Sequence, residues 1–225
     1  MNKKALIAEF IGTFTLIFIG VGAIAADHIT AGVVGNGKLG LTGIALAHGL
    51  AIAVMVSATA AISGGHLNPA VTVSLWSVKK IDTPNAVGYI VAQCLGSIAA
   101  AFLIGLCIPA EVLKAVSMGT PALGANITPQ MGLLTEAILT FFLVFVVYGT
   151  AVDNRAPKMG GLFIGLTVTL DILMGGPISG AGMNPARHLG PALFGGGLEN
   201  IWIYWIGPIV GGVLAAQVYK SQLEK

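Results

Sequence analysis

Long apolar runs alternate with short polar breaks along the whole chain. Six of them, near 5–26, 41–62, 85–108, 131–152, 160–175 and 201–219, reach or approach the roughly 20 residues that a helix needs to cross a bilayer. The pattern predicts an all-α membrane protein with six transmembrane helices, and an even number returns both ends of the chain to one side. Two further apolar segments, 67–77 and 183–194, are too short to cross, and each carries an Asn-Pro-Ala triplet near its start. Proline suits the first helical turn, where its missing N–H would be an orphan in any case, and Asn is a favourable N-cap. Both segments are therefore expected to be re-entrant half-helices, over 68–77 and 184–194. Each is entered through a small-residue run, Ser63-Gly64-Gly65-His66 and Ser179-Gly180-Ala181-Gly182, of the kind an extended backbone uses to line a cavity at membrane depth.

The chain also repeats itself. Ala8-Glu9-Phe10-Ile11 with Thr13 and Phe14 returns as Thr135-Glu136-Ala137-Ile138 with Thr140 and Phe141, and the two Asn-Pro-Ala loops and the pairs Tyr89/Tyr204 and Gly96/Gly211 fall in step. Each unit holds three crossings with a half-helix after the second. Three is odd, so the second copy enters from the other side, an inverted repeat whose half-helices meet near the midplane. The expected division is a first repeat over 1–110, a connecting loop over 111–130 and a second repeat over 131–225.

Composition agrees with burial in lipid: of 225 residues, 56% are hydrophobic and 9% charged, where a soluble domain carries about a quarter charged. The net charge of +2 provides no basic field for nucleic acid, and none is expected as a partner. Cys94 and Cys107 sit in an apolar run and offer neither a disulfide framework nor a metal motif. Neither metal nor cofactor is expected. Lys3 and Lys4 followed by an apolar stretch and Ala23-Ile24-Ala25 imitate a signal peptide, but the stretch outruns an h-region and carries Glu9. Counting short-loop charges, Lys3, Lys4, Lys79, Lys80, Arg155, Lys158, Lys220 and Lys225 fall on the side of the termini, against Lys38 and Lys114 opposite. Both termini are thus expected in the cytoplasm.

Two half-helix N-termini aimed at one spot each present about +0.5 charge and free N–H groups, which is hostile to cations, hydronium included. Asn68 and Asn184 can offer amide donors to a water oxygen there. A water accepting from both points its hydrogens outward and breaks a proton-conducting chain. Arg187 stands three residues past Asn184 inside an apolar region, where an arginine normally faces a cavity.

The segments His66-Leu67-Asn68-Pro69-Ala70-Val71-Thr72-Val73-Ser74 and Asn184-Pro185-Ala186-Arg187 resemble the two signature loops of the aquaporin and glycerol-facilitator family, over nearly the whole chain. The resemblance implies the aquaporin fold, a homotetramer with one pore per subunit, and a passive channel for water that excludes protons and ions. It makes Asn68, Pro69, Ala70, Asn184, Pro185 and Ala186 the pore motifs. It carries a four-residue constriction onto His48, Ile172, Ala181 and Arg187, and gives Glu9, Glu136 and His66 the support of the re-entrant loops. The His-Ile-Ala-Arg set departs from the narrow water filter, which has an aromatic in place of His48 and His in place of Ile172, and is most similar to that of the plant vacuolar-membrane (tonoplast intrinsic) subgroup. A wider filter is implied, passing ammonia and urea, with glycerol as a further candidate. Glycerol facilitators have Asp after the Arg and a basic residue four positions later, where this chain has His188 and Ala192; Tyr204-Trp205 also leans toward water. Asp171 is expected to accept a hydrogen bond from the second loop.

The partners expected are water, small neutral solutes and the lipid bilayer, with the cell membrane as location. The alternatives are a glycerol or small-solute facilitator with water secondary, a secondary transporter, which also uses inverted repeats, and an intramembrane enzyme. The last finds no HExxH, GxSxG or Cys-His pattern to support it.

Overall fold

The computed structural model describes residues 2–31, 38–156 and 159–224; Lys158 and Lys225 of the charge count lie outside them. Among the described residues every regular element is helical. The six long apolar segments are α1 (Lys3–Ala31), α2 (Gly40–Ser63), α4 (Thr83–Cys107), α6 (Pro129–Val147), α7 (Gly160–Ser179) and α9 (Ile201–Val218), each long and apolar enough to cross a membrane. α6 and α9 end in single wide π-turns, Tyr148–Val152 and Tyr219–Leu223. The half-helices are α3 (Pro69–Ser77) and α8 (Pro185–Gly195). At 1.5 Å per residue they are roughly 14 and 17 Å long, about half a bilayer core. Two departures from the expected boundaries have local causes. α1 outruns 5–26 because no Gly or Pro falls between Asp27 and Ala31, and α4 starts at Thr83 because Asp82 caps it by accepting from the Asn85 N–H.

The two halves repeat the same packing. α1 lies on α2 and α4, α6 on α7 and α9, and α2 meets α7 between the halves. Small residues set these crossings, since in lipid close backbone approach replaces the hydrophobic drive. A β-carbon at Gly96 on α4 would meet the Phe10 carbonyl of α1, and one at the repeat-equivalent Gly211 on α9 would meet the Ala137 carbonyl of α6. α2 and α7 are themselves equivalent and touch at equivalent glycines, where a β-carbon on Gly165 would strike the carbonyl of Gly49. The connection over 111–130 is more than a loop. It contains α5 (Ala110–Ala115) and a tight turn, Ser117–Gly119, and it is tied to the end of α7 by the Gly124 N–H donating to the Ile178 carbonyl at 2.8 Å.

The face that carries both termini is fastened by charges. Lys80, after α3, pairs with Glu224 at 2.6 Å, and Tyr148 donates to the same carboxylate at 2.6 Å. Arg155 grips Asp153 and donates to the Leu223 carbonyl at 2.8 Å. The Arg155 hydrogen bonds hold the Asp153 carboxyl below the usual carboxylate range, and Lys80 with Tyr148 does the same for Glu224.

Two predictions follow from this packing. In Gly211→Ala the new methyl meets backbone, which cannot swing aside, so thermal unfolding of the purified protein in detergent should show a loss of about 1–3 kcal/mol; an unchanged midpoint would mean that α6 and α9 do not need close approach. The depressed carboxyls bind fewer protons folded than unfolded, so their stabilisation is complete above the ordinary carboxylate range of about 4 and fades as pH falls below it. Lys80→Gln with Arg155→Gln should flatten that acid limb of stability against pH.

Candidate functional site: a narrow channel between the half-helices

The half-helices start where the sequence places them. Asn68 and Asn184 are extended N-caps: Asn68 Oδ1 accepts from the Ala70 N–H at 2.8 Å, and Asn184 Oδ1 from Ala186 at 3.0 Å and Arg187 at 3.2 Å. Pro69 and Pro185 occupy the first turns, with Ala70 and Ala186 fully buried behind them. The amide nitrogens then cross over. Asn68 Nδ2 donates to the Met183 carbonyl at 2.8 Å, and Asn184 Nδ2 to the Leu67 carbonyl at 3.0 Å. This reciprocal clamp locks the tips of α3 and α8 together, and it leaves each amide a second N–H.

The backbone leading into each tip is not extended, as its composition suggests, but repeatedly left-handed. Gly64, Gly65 and Leu67 have φ of 89°, 64° and 50°, and Gly180, Ala181 and Met183 have 81°, 46° and 51°. Left-handed turns cannot propagate hydrogen bonds as a helix does, so the N–H groups need other acceptors, and buried carboxylates supply them. Glu9 is fully buried and accepts from Ser63 Oγ (2.6 Å), the N–H groups of His66 (2.9 Å) and Leu67 (2.6 Å), and Gln93 Nε2 (2.7 Å). Glu136, equally buried, accepts from Ser179 Oγ (2.7 Å) and the N–H groups of Gly182 (2.8 Å) and Met183 (2.6 Å). Tyr89 and Tyr204 donate to the carbonyls of Ser63 and Ser179, at 2.9 and 2.7 Å. His66 Nδ1 meets Thr72 Oγ1 at 3.1 Å.

A cavity runs along this seam. Leu16, Ile52, Leu143 and Val168 make an apolar wall, and His66, Asn68, Asn184, His48 and Arg187 interrupt it with polar groups. Its space for water is about 40 Å³, against roughly 10–15 Å³ per confined water, which is room for about three. A second hollow opens outside it, roofed by Gly119, Thr120, Pro121 and Ala122 of the long connection. The two spaces share four residues: His48, Ile172, Ala181 and Arg187. They form the septum between inner channel and outer vestibule. The His48 ring packs against Gly20, where any β-carbon would strike it. Its Nδ1 lies 2.8 Å from the Ile44 carbonyl, an acceptor only, so Nδ1 carries the proton and Nε2 is left as an acceptor. Arg187 is 5% exposed, and its Nη1 has no partner among the described residues.

One expectation fails. Asp171 does not reach the second loop: its carboxyl lines a lateral groove between α6 and α7 with Thr135 and Thr167, and Oδ2 is buried without a partner among the described residues. One residue off the channel face on α7, it points about 100° away from Ile172. Sequence reading also missed the Asn-to-carbonyl clamp, the roof over the vestibule and Gln93. A lone Gln within the apolar 85–108 run was the available signal for the last.

Six crossing helices, two half-helices meeting tip to tip and a water-wide cavity along their seam define an inverted-repeat membrane channel. A sequence profile described as "Major intrinsic protein" matches residues 1–219, and the chain belongs to that family of channels, which are not enzymes. It is 47% identical over 222 residues to "Aquaporin TIP4-4" of Zea mays, covering 97% of this chain and 86% of the relative, and 43% identical over 225 residues to "Aquaporin TIP2-3" of Arabidopsis thaliana, with 97% and 86% covered. Among solved structures, the aquaglyceroporin from Plasmodium falciparum superposes with a TM-score of 0.85 at 27% identity, over 99% of this chain and 97% of that one.

Glu136→Gln tests the bracing. One carboxylate oxygen becomes an NH₂ that faces donors, so at least one N–H of Gly182 or Met183 loses its acceptor, at a cost of about 1–3 kcal/mol. Thermal unfolding should show that loss together with reduced osmotic water flux; parent-like values in both would assign the loop geometry to other contacts.

Proposed function

We propose that the protein is a passive water channel whose selectivity filter is His48, Ile172, Ala181 and Arg187. The observation that carries this reading is the septum: these four side chains alone are common to the channel and the outer vestibule. Every permeant molecule would pass between them. Inside, the second N–H of each Asn68 and Asn184 amide orients one water at the half-helix tips, with the two N-terminal dipoles adding positive potential. Arg187 adds a full charge, so hydronium and metal cations meet a barrier while water exchanges hydrogen bonds. Pro69, Ala70, Pro185 and Ala186 shape the tips, and Glu9, Glu136 and His66 support the loops behind them.

Ile172 gives the filter an apolar wall opposite the guanidinium, and His48 is smaller than a benzyl ring. We therefore assign ammonia as a permeant, with urea and glycerol following at lower rates than water. The subunit is proposed to work as one of four pores in a homotetramer, built of repeats over 1–110 and 131–225 joined by 111–130, with both termini cytoplasmic. TIP-type relatives do not favour the cell membrane expected from the sequence, and no particular membrane is assigned.

Proteoliposomes under a sucrose gradient should shrink rapidly yet hold a pH gradient as long as empty vesicles; proton leakage that scales with protein content would overturn the reading. His48→Phe combined with Ile172→His should suppress ammonia and urea flux while most water flux remains. A double variant with the parent's selectivity would place the filter elsewhere. Arg187→Val should raise proton or small-cation leak and urea flux, and no change in any of them would remove Arg187 from the constriction.

A further inference from the structure

The two halves solve one packing problem with an exchanged pair of residues. In the first, the re-entrant loop contributes an imidazole: His66 meets the Tyr89 ring edge-on, with centroids 5.2 Å apart, and the half-helix contributes the small Thr72. In the second, the position equivalent to His66 is Gly182, and the position equivalent to Thr72 is His188. The His188 ring lies flat on Tyr204, with centroids 4.2 Å apart and planes 14° from parallel. The imidazole has moved from the loop to the half-helix. His66 therefore lines the channel, whereas His188 follows Arg187 by one position, about 100° round α8, and sits fully buried outside the cavity lining.

Among the described residues neither ring nitrogen of His188 reaches a partner at full hydrogen-bond geometry, the Gly197 backbone being the polar group nearby, and the ring makes its close contact through its face. What the face holds is Tyr204. That tyrosine touches the filter loop twice: its hydroxyl donates to the Ser179 carbonyl at 2.7 Å, and its ring fills the space beside Gly182, where a β-carbon would come within 3.0 Å. Ala181 lies between those two contacts.

We propose that His188 is a positioning residue of the filter. By stacking on Tyr204 it fixes the Ser179–Gly182 backbone, and with it the distance from Ala181 to Arg187 across the septum. This rests on the filter proposed above. It explains why an aromatic face occupies this site: it packs Tyr204 from α8, so that Gly182 can stay small on the channel side.

The test is the ratio of urea and ammonia permeability to water permeability in proteoliposomes, for His188→Ser, His188→Phe and Tyr204→Phe. The Ser variant leaves a void against Tyr204, and its urea-to-water ratio should rise by roughly twofold or more, the scale of coupling carried through packed side chains. The Phe variant keeps an aromatic face and should retain the parent ratio. Tyr204→Phe keeps the stack but frees the Ser179 carbonyl, and should shift the ratio in the same direction as the Ser variant even where that variant fails to fold. An unmoved ratio in the Ser and Tyr204→Phe variants, or an equal shift in the Phe and Ser variants, would overturn the role of His188. If the His48/Ile172 double variant also leaves the ratio unmoved, the filter reading has failed; if it alone moves the ratio, the filter stands and the proposal for His188 falls.

Discussion

Backbone that leaves a helix inside a bilayer must find hydrogen-bond partners within the protein, because the hydrocarbon offers none. Two carboxylates meet that requirement here, and the channel depends on them. Glu9 and Glu136 stand at equivalent places in the first helix of each half and reach the left-handed turns before Asn68 and Asn184. A carboxylate is suited to the task since it is an acceptor at up to about four positions and donates nothing; Glu9 uses four and Glu136 three. With the turns held, the half-helices can begin at the midplane, the cap asparagines can clamp each other's loops, and a cavity of water width can run between them.

The pseudo-symmetry is kept where packing demands it and broken where the chemistry differs. Gly96 and Gly211, Tyr89 and Tyr204, and Ser63 and Ser179 have the same contacts in both halves. Gln93, which donates to Glu9 and to Thr72 at 2.7 and 3.0 Å, has Pro208 as its counterpart, so Glu136 lacks a fourth donor. His66 faces the channel from the first loop, while Gly182 leaves room in the second.

How legible each feature was depended on the range of the interactions behind it. The crossing segments, the half-helices and their caps were readable because hydropathy and the Asn-Pro-Ala triplets act within a few residues of themselves. The four septum residues were readable only through the family resemblance, since His48, Ile172 and Ala181 carry no local mark of facing a cavity. The left-handed turns were misjudged because Leu67, Ala181 and Met183 are not residues that ordinarily adopt positive φ; Leu67 and Met183 donate to carboxylates 58 and 47 positions away along the chain, and Ala181 donates to Ser179 Oγ, which is itself bound to Glu136. Asp171 was misplaced by one step of helical phase, enough to turn a side chain from the channel toward a neighbouring helix.

The same carboxylate bracing bears on selectivity. A filter discriminates small neutral molecules by small differences in size and shape, so its walls must not relax around a larger solute. Arg187 sits on the first turn of α8, whose cap is clamped to Leu67 of the other half, and Ala181 lies in backbone held by Glu136 and Tyr204. His48 and Ile172 come from α2 and α7, whose backbones approach closely at Gly49 and Gly165. Arg187, His48 and Ile172 are therefore tied to the opposite repeat while Ala181 is braced within its own, and the aperture is set largely where the two halves join.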